Sequence, residues 1–178
     1  MHREIEVKVL NIDVDEIQKK LLAKGAEKIK EEEQKNYTFS PKNSEFPNGY
    51  LRIREIVENG VKKDTELTFK ESVDNKDNLR VNNEYTTNIT STSNMVKILE
   101  EIGLVEKYTG SKKRISYSYK GQRFDIDIWD KSVYPEAYME IEFTNVGLMD
   151  EILDDLEINR DDVTDASINQ LIENYKSR

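Results

Sequence analysis

In the segment REIEVKV, residues 3–9, apolar Ile5, Val7 and Val9 alternate with charged Glu4, Glu6 and Lys8. A period of two predicts a strand with one apolar and one charged face, here over residues 3–11. Asp13 then caps a helix, with Glu16 three positions on completing a capping box; Val14, Ile17 and Leu21 form its apolar stripe and Gly25 ends it. Further strands are predicted at 27–40, at 49–57 and 65–72 joined through the ENG turn at 58–60, and at 79–89. A second helix starts near Ser93, with Met95, Ile98, Leu99 and Ile102 on one face and Gly103 as its stop. Strands at 112–119, 122–129 and 137–144 follow, and helices at 148–156 and 165–176 close the chain. Strand, helix, glycine and strand recur in that order at 3–40 and 80–119, which implies a weak internal duplication. No linker divides residues 1–178, so a single domain is expected.

Sorting the strands by face gives the same picture repeatedly. Arg52 and Arg54 oppose Leu51 and Ile53, while Glu66, Thr68 and Lys70 oppose Leu67 and Phe69. Arg80, Asn82 and Glu84 share a face, as do Lys112 and Arg114, Asp125 and Asp127, and Glu140 and Glu142. Solvated faces of half-buried strands would explain any one of these. Seven such strands, together with helices whose apolar stripes need a sheet to cover, fit another arrangement better. The apolar faces turn outward under the helices and the charged faces line the inside of a closed barrel. Buried charge requires pairing or a ligand. Clustered carboxylates suit a hard divalent cation, Mg²⁺ or Mn²⁺, and clustered arginines suit phosphate. Both on the walls of one cavity describe a metal–polyphosphate site, in which a metal ion lets Glu4 and Glu6 stand side by side while Lys8 reaches the phosphates.

Composition narrows the alternatives. Hydrophobic residues make up 36% and charged residues 35% of the 178, enough apolar material for a core. A net charge of −9 argues against an extended nucleic-acid face. With no cysteine and only His2, expected at a solvated end, thiolate metal sites and histidine triads are excluded. No apolar run approaches a membrane span, and cytoplasm is the expected compartment.

The ordered set EIEVK at 4–8, YTF at 37–39, LRIRE at 51–55, LTFK at 67–70, RVNNEY at 80–85, KKR at 112–114, FDIDIW at 124–129 and YMEIEF at 138–143 resembles the CYTH domains, or triphosphate tunnel metalloenzymes. That resemblance implies an α+β fold: an eight-stranded antiparallel tunnel with a polar lumen and helices outside. It implies metal ligation by Glu4, Glu6, Asp125, Glu140 and Glu142. Lys8, Arg52, Arg54, Lys70 and Arg114 form the implied phosphate clamp, with Arg80 and Lys112 added to it. Glu4, Glu6, Lys8 and Arg54 are the implied catalytic set, whereas Asp127 and Glu84 fit the motifs in either a site or a structural role. A lysine that some members carry in the last helix has no counterpart in TDASINQL. The expected activity is Mg²⁺- or Mn²⁺-dependent hydrolysis of tripolyphosphate, thiamine triphosphate or a nucleoside triphosphate by a monomer or homodimer. A class IV adenylyl cyclase and a non-catalytic polyphosphate-binding module are the alternatives.

Overall fold

The computed structural model describes residues 1–76 and 79–177. Nine strands and four α-helices occur among them: β1 (His2–Val9), α1 (Val14–Ala23), β2 (Glu27–Pro41), β3 (Gly49–Glu58), β4 (Val61–Lys76), β5 (Leu79–Asn88), α2 (Thr92–Glu101), β6 (Leu104–Tyr119), β7 (Gln122–Trp129), β8 (Tyr138–Glu142), α3 (Met149–Asp155), β9 (Val163–Thr164) and α4 (Ile168–Lys176). Two tight turns follow from residues with positive φ, Asn59–Gly60 between β3 and β4 and Lys120–Gly121 between β6 and β7.

The strands run in the order β5-β4-β3-β2-β6-β7-β8-β1, and antiparallel pairing of β1 with β5, from His2↔Glu84 to Glu6↔Arg80, closes the ring. The two-residue β9 joins β1 beyond the point where β5 leaves it, opposite Lys8 and Val9. Exchanging the first four strands with the next four maps this ring onto itself. The repeated order in the sequence therefore has a topological counterpart. Among the described residues no helix is long and apolar enough to cross a membrane.

Apolar strand faces point outward. Val7, Val9, Phe124, Ile126, Met139 and Ile141 are almost fully buried beneath Ile17 and Leu21 of α1, Ile152 and Leu153 of α3, and Leu156 just after it. Each such side chain contributes roughly 1.5–3 kcal/mol by leaving water. On another side Leu99 of α2 covers Phe39 and Ile53. Leu171 and Ile172 of α4 pack against Trp129 and Tyr138, which lie on the inward faces of β7 and β8. Thus α4 sits over one end of the barrel.

Three expectations shift. β6 begins at Leu104 rather than 112, because Leu104–Ser111 continues the ladder with β2 although LVEKYTGS lacks clean alternation. Asp13 accepts from the Glu16 N–H at 2.9 Å, but the reciprocal capping box forms at α4, between Ser167 and Gln170. His2 stays solvated, its side chain 64% exposed, but it is not frayed: it opens β1, pairs with Glu84, and brings Nε2 to 3.5 Å from Glu142.

Candidate functional site

Strand parity turns Glu4, Glu6, Lys8, Arg52, Arg54, Lys70, Arg80, Lys112, Arg114, Asp125, Glu140 and Glu142 into one cavity of about 390 Å³. Glu84 shares its wall. Asp127 is fully buried behind that wall, and Glu66 lies on the lumen face of β4 but off the cavity lining. Every substrate-binding and metal-ligating candidate from the sequence therefore converges on a single tunnel.

Charges inside it are not evenly compensated. On the β1–β7–β8 side, Arg114 gathers three carboxylates: Nη1 donates to Asp125 at 2.8 Å, and Nη2 donates to Asp127 and Glu140 at 2.6 Å each. Ser116 supports Asp125 at 2.5 Å, and Arg123 Nε reaches the same carboxylate at 3.1 Å. Lys8 lies 3.4 Å from Glu6 and 3.2 Å from Glu140. Lys70 contacts Glu4 and stands 3.5 Å from Glu6 and 3.4 Å from Glu84. Glu4 and Glu6 are thus neighbours with Lys70 between them, the place where the sequence suggested a metal ion.

Burial disfavours these charges, but their partners outweigh it. It pushes Lys8 down while Glu6 and Glu140 bring it net upward; Lys70 rises well above its usual range in the same way, through Glu6 and Glu4. Glu140, which burial alone would raise, is held well below the carboxylate range by Lys8 and Arg114.

The β3–β2–β6 side differs. Burial, with Arg52 and Arg114 adding repulsion, lowers Arg54 to about 10. Burial and Arg114 lower Lys112 to about 7, although Asp127 and Glu140 pull the other way. Lys112 donates to Asp127, whereas Arg54 donates to the neutral Asn36 oxygen and faces Arg52. Lys112 Nζ also lies 5.1 Å over the Trp129 ring, and Lys8 Nζ lies 5.9 Å from the Tyr138 ring. Trp129 Nε1 donates to the Tyr138 hydroxyl at 3.0 Å, which joins the two aromatic supports.

Among the described residues no three carboxylates or histidines converge as a ready-made metal cluster; the oxygens are interleaved with cations. The donor set nonetheless suits a hard divalent ion. Glu142 is raised from its ordinary value by burial and then by Glu4 and Asp125, against the pull of Arg123 and His2. Carboxylates from three strands therefore crowd one another, and a divalent cation relieves that repulsion.

A stability consequence follows with a definite sign. A carboxyl with a raised folded-state pKa destabilises the native state once the pH exceeds its unfolded pKa. Glu142→Gln should therefore raise the melting temperature of the ligand-free protein at pH 7–8, with the gain vanishing below about pH 4. Thermal melts across that range check it.

Polar lining residues outside the predicted set include Asn36, Thr38, Tyr50, Tyr108 and Ser167. Asn82, fully buried, accepts from Arg80 Nε at 3.1 Å and donates to Glu4 at 3.2 Å. Being uncharged, these side chains escape a search for clustered charge. The signal that could have found Asn36 and Thr38 is the alternation of Gln34, Asn36, Thr38 and Ser40 with Lys35, Tyr37 and Phe39.

The family model for the CYTH domain matches residues 2–165. No match is found among curated proteins. Solved structures with the same fold include the PH1012 protein of Pyrococcus horikoshii OT3, with TM-score 0.78 and 22% identity over 94% of this chain and 99% of that one. The PH1819 protein of the same organism has TM-score 0.77 and 22% identity over 98% and 99%. HpAC1 from Hippeastrum, described as an adenylyl cyclase candidate with a dominant triphosphatase activity, has TM-score 0.72 and 17% identity over 97% and 96%. At these identities the likenesses establish the fold.

Proposed function

Because the chain belongs to the CYTH domain family, we propose that its tunnel binds a triphosphate chain with a divalent metal and hydrolyses a phosphoric anhydride bond. The carrying observation is the uneven compensation of the tunnel, with Arg52 and Arg54 crowded together on one side and facing a carboxylate-rich side. An anion seated against β3 and β6 offsets the burial and repulsion that disfavour the Arg54 charge and favours the protonated form of Lys112, which is favourable binding free energy. The Hippeastrum protein, with its dominant triphosphatase activity, supports hydrolysis as chemistry this fold can host.

The metal would be held by Glu4, Glu6, Asp125, Glu140 and Glu142. Mg²⁺ or Mn²⁺ there would neutralise phosphate charge and orient the attacking water. The chain's own residues do the rest. Arg52, Arg54 and Lys112 grip phosphoryl oxygens and stabilise the charge that redistributes over them as the water oxygen bonds to phosphorus and the bridging P–O bond breaks. Lys8 and Lys70, already tied to carboxylates, fix the distance between the metal-holding side and the phosphate chain. Arg114 keeps Asp125 and Glu140 oriented.

A product assay tests the proposal. ATP, tripolyphosphate and thiamine triphosphate are each incubated with the protein and Mg²⁺ or Mn²⁺, and products are resolved by ³¹P NMR and chromatography. Orthophosphate plus the shortened chain is expected. Cyclic AMP and diphosphate from ATP would assign the protein to the cyclases instead, and no turnover despite tight binding would make it a polyphosphate-binding module.

A further inference from the structure

Asn36 sits on β2 in the middle of the cation-rich side, opposite Arg54 of β3 in the ladder and next along the strand face from Gln34, the ladder partner of Lys112. Its side chain is 2% exposed and lines the tunnel cavity. Arg54 Nε donates to Asn36 Oδ1 at 3.1 Å. A guanidinium can only donate, so this bond fixes the orientation of the amide: oxygen toward Arg54, nitrogen away from it. Asn36 Nδ2 is then a buried donor without an acceptor, one of three unpaired buried side-chain atoms among the described residues, of which Gln34 Oε1 is an acceptor off the cavity lining. A second of the three is also a donor in the same cavity, Arg52 Nε, whose residue pairs with Thr38 two positions along β2.

A buried donor left unpaired costs free energy, and two on one wall beside Arg54 call for a ligand that accepts without donating. Deprotonated phosphoryl oxygens have that character. We propose that Asn36 is a substrate-binding residue, donating Nδ2–H to an oxygen of the phosphoryl group held against β3 and β6, while its Oδ1 keeps Arg54 aimed at the same group. This rests on the triphosphate reading of the tunnel. One neutral side chain then serves two purposes: it orients a cation without neutralising it, and it adds a hydrogen bond without increasing the repulsion among Arg52, Arg54 and Lys112.

The test is a titration of the wild-type ¹⁵N-labelled protein with tripolyphosphate and Mg²⁺, with the side-chain amides assigned by triple-resonance spectroscopy. The Asn36 side-chain amide should move downfield together with the backbone amides of the tunnel strands. In parallel, Asn36→Ala should raise the Kd for tripolyphosphate roughly tenfold or more, the range for a hydrogen bond to a charged group. If tunnel resonances move while the Asn36 amide stays in place, or if Asn36→Ala binds as tightly as wild type, the inference is overturned and the triphosphate reading stands. If no resonance moves, the triphosphate reading itself fails. Should Asn36→Ala not fold, the wild-type titration alone decides.

Discussion

Arg114→Met should destabilise the protein more than any other single change in the tunnel, by about 3–5 kcal/mol at neutral pH. For a chain of this size that lowers the melting temperature by roughly 6–20 °C. The cause is what remains behind: Asp125, Asp127 and Glu140 keep their buried positions but lose the guanidinium that four hydrogen bonds tie to them. The penalty should shrink in acid, as the abandoned carboxylates take up protons. Calorimetry at neutral and acidic pH measures both. An unchanged melting temperature would mean that solvent already screens the network.

Arg54→Ala should do the opposite to stability and far more to activity. Arg54 is crowded by Arg52 and Arg114, and burial further disfavours its charge. Removing it relieves repulsion, so the ligand-free protein should melt at the same temperature or higher. The lost contact with the reacting phosphoryl group should cost about 2–5 kcal/mol in transition-state stabilisation, a loss of roughly thirtyfold to a few thousandfold in kcat/KM. Steady-state kinetics beside thermal melts separate the two effects. Kinetics close to wild type would place Arg54 outside the reaction. Under the proposed function, two arginines in one cavity have opposite roles, one holding the walls together and one placed for the ligand.

Much of this could be read from the sequence because strand alternation is a local signal. REIEVKV, LRIRE and FDIDIW each declare a charged face through their own residues, the helix stripes turn those faces inward in a closed barrel, and the resemblance in motif order implies its eight strands. The start of β6 was not legible, since Leu104–Ser111 is held as strand by pairing with β2 rather than by its own pattern. The inward place of His2 was hidden for the same reason: partners on β5 and β8 define it. Charge alone also could not show which cations are compensated. Lys8 and Lys112 look alike in sequence, yet Lys8 lies between Glu6 and Glu140 while Lys112, bonded to Asp127, also meets the repulsion of Arg114 and stands over Trp129. Strand alternation puts neutral Asn36 and Asn82 on inward faces, but their roles became visible only when their partners were in place.

The central claim is that the inward charges form one site spanning two unlike walls. Melting temperature in the presence of ligand tests it most directly. A ligand that binds only the native state stabilises it by RT ln(1 + [L]/Kd), about 2.7 kcal/mol at a hundredfold excess over Kd. Tripolyphosphate with Mg²⁺ should therefore raise the melting temperature by roughly 5–11 °C, and much of that gain should survive moderate salt because the charges are buried. Mg²⁺ alone or orthophosphate alone, unable to engage both walls, should raise it far less. Small, equal shifts for all three additions, vanishing at moderate salt, would contradict the account and leave the tunnel charges as structure without a ligand.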